Sequence, residues 1–100
     1  MKIRYLSIAE FEFDEAIAWY LARSRSAARH FGREVVIVER LLREHPRIGR
    51  CIEHDARSLC VNAFPSSIIY SVEKNEIVVV AVAHQSRRPG YWIDRLREIH

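Results

Sequence analysis

The chain is short of the residues that several familiar chemistries require. It has three glycines, Gly32, Gly49 and Gly90, and they are widely scattered. A phosphate-cradling loop needs clustered glycines at a strand–helix junction, so nucleotide binding of that kind is excluded. There is no nucleophile elbow, no HExxH pair and no paired-carboxylate signature. No apolar run approaches the roughly 18 residues of a membrane helix. The opening MKIRYLSIAE lacks the long apolar region and small-residue cleavage site of a signal peptide. The expectation is a cytoplasmic protein with no membrane role. Cysteine is also scarce. Cys51 and Cys60 are the two present, and a cytosolic pair is expected to be reduced. Together with His54 they suggest a metal site, but the spacing is loose and a fourth ligand is missing. No metal and no cofactor is expected. Lysine is nearly absent: 2 Lys stand against 14 Arg.

What is present describes one globular domain, residues 1–100. The chain is 49% hydrophobic and 29% charged, enough to build a core without disulfides and too apolar for disorder. The net charge is +3 and the pI about 9.2, and the charge is unevenly placed. Residues 23–50 hold eight Arg and three Glu, while Glu10, Glu12, Asp14 and Glu15 crowd the first helix. Arg offers a planar fork of donors suited to carboxylate and phosphate. The asymmetry points to a polyanionic target or an acidic protein partner.

The pattern of apolar residues orders the elements. KIRYL at 2–6 reads as a short strand. Ser7 with Glu10 makes a capping box for a helix from about Ile8 to Arg23. Phe13, Ala16, Ile17 and Tyr20 form its apolar stripe, with Glu12 and Glu15 outside it. Ser24 or Ser26 caps a second helix, whose seam is Ala28, Phe31, Val35, Val38 and Leu42. Arg29, Arg33, Arg40 and Arg43 lie off that seam. Pro46 and Gly49 end the helix. The two helices should pair as an antiparallel hairpin. The period then changes to that of strands: 57–61, 66–72 and 76–84, the last two joined by a turn at 73–76. The last strand is apolar throughout, so both its faces should be covered and the 2–6 strand should lie beside it. A short helix could follow Pro89-Gly90. The expected class is α+β, a small mainly antiparallel sheet (β-α-α-β-β-β) packed against a helical hairpin.

One cluster stands out. AHQSRRPGYW at 83–92 follows directly on the buried run IVVVAVA. Metal-free RNA cleavage needs a base, cations for the phosphate and an acid for the leaving oxygen. His84, Arg87, Arg88, Tyr91 and, at the start of the second strand pattern, Arg57 are the right types. Tyr91 or Trp92 could stack on a base. The same residues suit a protein interface, where Arg, Tyr and Trp dominate binding energy. A purely structural role is the third reading: Trp92 capping the core, His84 bonded locally, and Arg87 and Arg88 solvated.

The segments EFEFDEAIAWY, AARHFGREVVIVERLLREHPRIGR and RSLCVNAFPSSIIYSVEKNEIVVVAVAHQSRRPGYWIDR, in this order and spacing, resemble toxins of the ParE/RelE superfamily from bacterial type II toxin–antitoxin modules. The resemblance spans nearly the whole chain and implies the fold just described. It implies an antitoxin partner, ParD-like or similar, whose acidic or amphipathic segment wraps the toxin. Arg29, Arg33 and Arg40 would face that partner. Two targets compete. ParE-like members poison DNA gyrase by binding, which would use Arg57, Arg87, Arg88, Tyr91 and Trp92. RelE-like members cut mRNA in the ribosomal A site, which would make His84, Arg87 and Tyr91 catalytic. An inactive antitoxin-binding remnant is the third possibility. RelE-like toxins carry an Arg six residues before the tail Tyr, where this chain has Gln85. A neutral amide cannot hold a phosphate's charge, and the loss should raise the barrier by about several kcal/mol. Arg57 and Lys74 are the only cations in the preceding strands, where RelE-like toxins have more. Both departures favour the ParE side.

Overall fold

Each apolar pattern in the sequence meets a matching surface in the folded chain. The computed structural model describes residues 1–100. Its elements are β1 (Lys2–Tyr5), α1 (Ser7–Leu21), α2 (Arg25–Glu44), β2 (Arg50–Cys51), β3 (Arg57–Cys60), β4 (Ser66–Val72) and β5 (Glu76–His84). Short 3-10 segments lie at Glu53–Asp55 and Ile93–Glu98. The five strands form one sheet in the order β1-β5-β4-β3-β2. β1 runs parallel to β5, and the other pairs are antiparallel. The fold is α+β, with a helical hairpin packed on the sheet.

The seam of α2 is buried along its whole length: Ala28, Phe31, Val35, Val38 and Leu42. The four larger side chains each contribute about 1.5–3 kcal/mol by leaving water. Ser24 caps this helix, its side chain accepting a hydrogen bond from Ala27 N at 3.2 Å. In β5, every residue from Ile77 to Val82 is buried. The strand lies between β1 and β4, which satisfy its backbone over the first half.

Three local expectations are corrected. No capping box forms on α1. Leu6, extended at φ −63° and ψ 148°, is its N-cap, and Ser7 is already helical. Leu6 is held there because its amide continues the sheet, donating to Val79 O at 3.0 Å, while its side chain is buried. Glu12, expected outside the apolar stripe, is buried. Residues 50–51 add a two-residue strand, too short to carry an alternating pattern. The short helix expected after Pro89-Gly90 is present, as a 3-10 segment over Ile93–Glu98. It is a short piece whose Trp92 and Leu96 are anchored in the core, a setting in which tighter i→i+3 bonding is common.

Candidate functional site

The end of β1 creates a local problem. β1 pairs with β5 only as far as Val79, yet β5 continues to His84. A register shift opposite Ile69 and Tyr70 re-phases the strand. Beyond it, Val80 O and Val82 N face an edge with no strand to pair with. Two side chains take the place of that strand. Val82 N donates to Glu12 Oε1 at 3.0 Å, and Arg95 Nη1 donates to Val80 O at 3.1 Å.

Glu12 and Arg95 also grip each other. Arg95 donates from Nη1 to Oε1 at 2.8 Å and from Nη2 to Oε2 at 2.9 Å. Tyr91 OH donates to Oε2 at 2.9 Å. An ionised carboxylate has about four acceptor sites, and these bonds fill them. That saturation is what makes a buried charge tolerable, because Coulomb attraction alone rarely repays desolvation. Arg87 adds a longer contact, Nη1 to Oε2 at 3.8 Å, and its guanidinium lies over the Tyr91 ring at 3.9 Å. Burial, then the bond to Glu12 and its charge, push the Tyr91 phenol up to about 12. The bond to Glu12 likewise raises the pKa of Arg95.

The expected site residues therefore divide. Arg87 and Tyr91 are brought together through Glu12. His84 and Arg88 are exposed at the same end of the sheet. His84 Nδ1 accepts from Ser86 N at 3.0 Å and lies 2.8 Å from Ser86 Oγ. Gln85 is exposed, its amide bonded to Pro65 O. Trp92 is 4% exposed and belongs to the core. Arg57 lies across β4 from this end, on β3, and its Nη1 donates to Arg47 O and Gly49 O, both at 2.9 Å. Tyr70 OH completes that anchor, accepting from Gly49 N and donating to Pro46 O. A Cβ on Gly49 would sit 2.6 Å from the Tyr70 oxygen, so the loop requires glycine.

Arg29, Arg33 and Arg40 are exposed on the outer side of α2, with no ion pair inside the chain. Cys51 and Cys60 are exposed free thiols. No group of three or more His, Cys, Asp or Glu is placed to hold a metal ion. No helix is long and apolar enough to cross a membrane.

No motif in the sequence marks Glu12 or Arg95 as a site residue. The signal for Glu12 was its spacing. It falls three residues after buried Ala9 and four before half-buried Ala16, so it lies on the packed face of α1. Nothing in the sequence pairs it with a residue 83 positions away.

The family model for the ParE toxin of the type II toxin–antitoxin system, parDE, matches residues 3–89. Arg87 lies within that match, whereas Tyr91 and Arg95 lie beyond it. Among solved structures, a chromosomal ParDE toxin–antitoxin system from P. aeruginosa is similar in fold, with a TM-score of 0.75 at 19% identity. That alignment covers 84% of this chain and 95% of the other. No curated protein matches the chain.

Proposed function

The chain belongs to the family of ParE toxins of type II toxin–antitoxin systems, and from that premise we propose that it stops growth by binding DNA gyrase and that a ParD-like antitoxin neutralises it. The observation that carries the choice of binding over catalysis is the saturation of Glu12. Tyr91, one of the three residues an RNA-cleaving reading would use, donates to that carboxylate, and Arg87, a second, lies 3.8 Å from it. A phenol raised to about 12 that already donates to a carboxylate is a poor proton donor near neutral pH. Gln85, exposed where the ribonuclease branch carries Arg, adds no charge.

In this reading the exposed end of β5 is the contact surface for the target. Arg88 and the outer part of Arg87 reach the partner, while Tyr91 and Trp92 support them from beneath. Arg57 shapes the 45–49 loop. The antitoxin lies on α2, where Arg29, Arg33 and Arg40 surround exposed Val36 and Ile37. An acidic amphipathic helix would satisfy both the charges and the apolar strip.

The test is a supercoiling assay with purified gyrase, alongside tightly controlled expression in cells. Added toxin should inhibit supercoiling and raise gyrase-linked DNA breaks. Arg88→Ala should weaken inhibition by about tenfold, the scale of an interface arginine worth more than about 1 kcal/mol. Unchanged supercoiling together with arrested translation and cleaved mRNA would favour ribosomal endonuclease action instead. Normal growth at high expression without antitoxin would point to an inactive remnant.

A further inference from the structure

The outer face of the helical hairpin carries two opposite charge sets, and neither is used within the chain. α1 has no basic residue and exposes Glu10, Asp14 and Glu15. α2 exposes Arg29, Arg33 and Arg40. None of these six side chains has an ion-pair partner in its own chain. Apolar side chains lie between the charges on both helices. Ile8, Phe11, Trp19 and Leu21 are 40–56% exposed on α1, and Val36 and Ile37 are 49% and 42% exposed on α2. With Ala9, Phe13, Ala16, Ile17 and Tyr20 packed inward, α1 is apolar on nearly every side.

We propose that a second copy of this chain docks on this face about a two-fold axis parallel to the hairpin, α1 of each copy lying on α2 of the other. Charge complementarity selects this occupant. A uniformly acidic partner matches α2 alone and leaves the acids of α1 unpaired, and a basic one does the reverse. A surface with one acidic and one basic helix is complementary to itself, the condition for a two-fold interface. The heights along the hairpin also agree. At about 1.5 Å per residue from the 22–24 turn, Asp14 and Arg33 lie at about 12 and 14 Å. Phe11 and Val36 lie at about 17 and 18 Å on the same rise. A two-fold axis along the hairpin preserves these heights, so Asp14 faces Arg33 and Phe11 faces the Val36–Ile37 strip.

The experiment is sedimentation velocity on the full chain, purified free of other proteins, over a concentration series at low salt. A monomer–dimer equilibrium is expected. Asp14→Arg and Arg33→Glu should each weaken dimerisation by about tenfold or more, since juxtaposed like charges cost several kcal/mol. The double variant, which restores the 14–33 pairs with the signs exchanged, should return close to the original equilibrium. Phe11→Ser, which alters no charge, should also weaken the dimer. Circular dichroism checks that each surface variant keeps its fold. A chain that stays monomeric throughout would overturn the proposal. So would a dimer indifferent to all three single substitutions, because its interface would then lie elsewhere. Arg33, Val36 and Ile37 also belong to the antitoxin surface proposed above, so the second copy and that antitoxin compete for α2. Asp14 and Phe11 lie on the helix the antitoxin reading leaves free, and their variants separate the two.

Discussion

Glu12 shows how much one side chain can hold. It closes an open sheet edge through Val82 N, fixes the C-terminal segment through Arg95, and orients Tyr91. Removing one partner of such a group leaves the others buried and unsatisfied, a loss of about 3–5 kcal/mol. Glu12→Ala should therefore destabilise the fold by about that amount in urea denaturation, since Arg95 and the Val82 amide are both stranded. Arg87→Ala should cost no more than about 1 kcal/mol, because that arginine is half exposed and its contact is long. Equal costs for the two variants would show that the carboxylate is not the organising group. The residue scale was also where the sequence was hardest to read. Trp92 and Tyr91 were visible as special, but a chain of letters does not say that Tyr91 donates inward to a helix near the other terminus. Helical spacing alone puts Glu12 on the packed side of α1, yet its charge argues for solvent. The geometry of the β5 edge decides between them.

The elements were legible where a long period was present, and less so where a short segment depended on its neighbours. The five-residue seam of α2 and the apolar run of β5 both lie buried as their patterns imply. Strand β2 has two residues and exists because Arg50 and Cys51 can pair with Ser58 and Arg57. Propensity cannot announce a strand of that length. The two helix starts make the same point. Both have a serine in place, but only Ser24 caps. Ser7 loses the role because the sheet holds Leu6 extended as the N-cap, and the helix begins at Ser7 itself, one residue earlier than a Ser7 cap would start it. Ser24→Ala should accordingly lower stability by about 0.5–2 kcal/mol, the usual loss of an N-cap. Ser7→Ala should stay within about 0.5 kcal/mol, as for an exposed residue with no special contact. Paired denaturant titrations measure both. A larger loss at Ser7 than at Ser24 would contradict the cap assignments.

At the scale of the whole molecule, the helical hairpin covers the sheet and the C-terminal segment straps the open edge of β5, so three regions distant in sequence share one core. The four tyrosines sit where these parts meet, and all are held above the ordinary phenol pKa. Burial is the leading cause at each, reinforced by bonds to Glu39 at Tyr5 and to Glu12 at Tyr91. The sign of the consequence is fixed by linkage. Below about pH 10 the phenols are protonated in both folded and unfolded chains, and their contribution is fully present. Above that, the unfolded chain gives up its phenolic protons first, so the folded state holds more protons and stability falls as pH rises. For Tyr91 the window runs from the ordinary value near 10 to about 12. Tyrosinate absorbance of the native protein should therefore lag that of the unfolded chain, and denaturation midpoints should decline across this window. Tyr91→Phe should lose part of the decline, because that variant has no phenolic proton at the strap to release. A native titration superimposable on the unfolded one would mean that the strap is open to solvent, and the Glu12 cluster would then be too loose to hold the edge of β5.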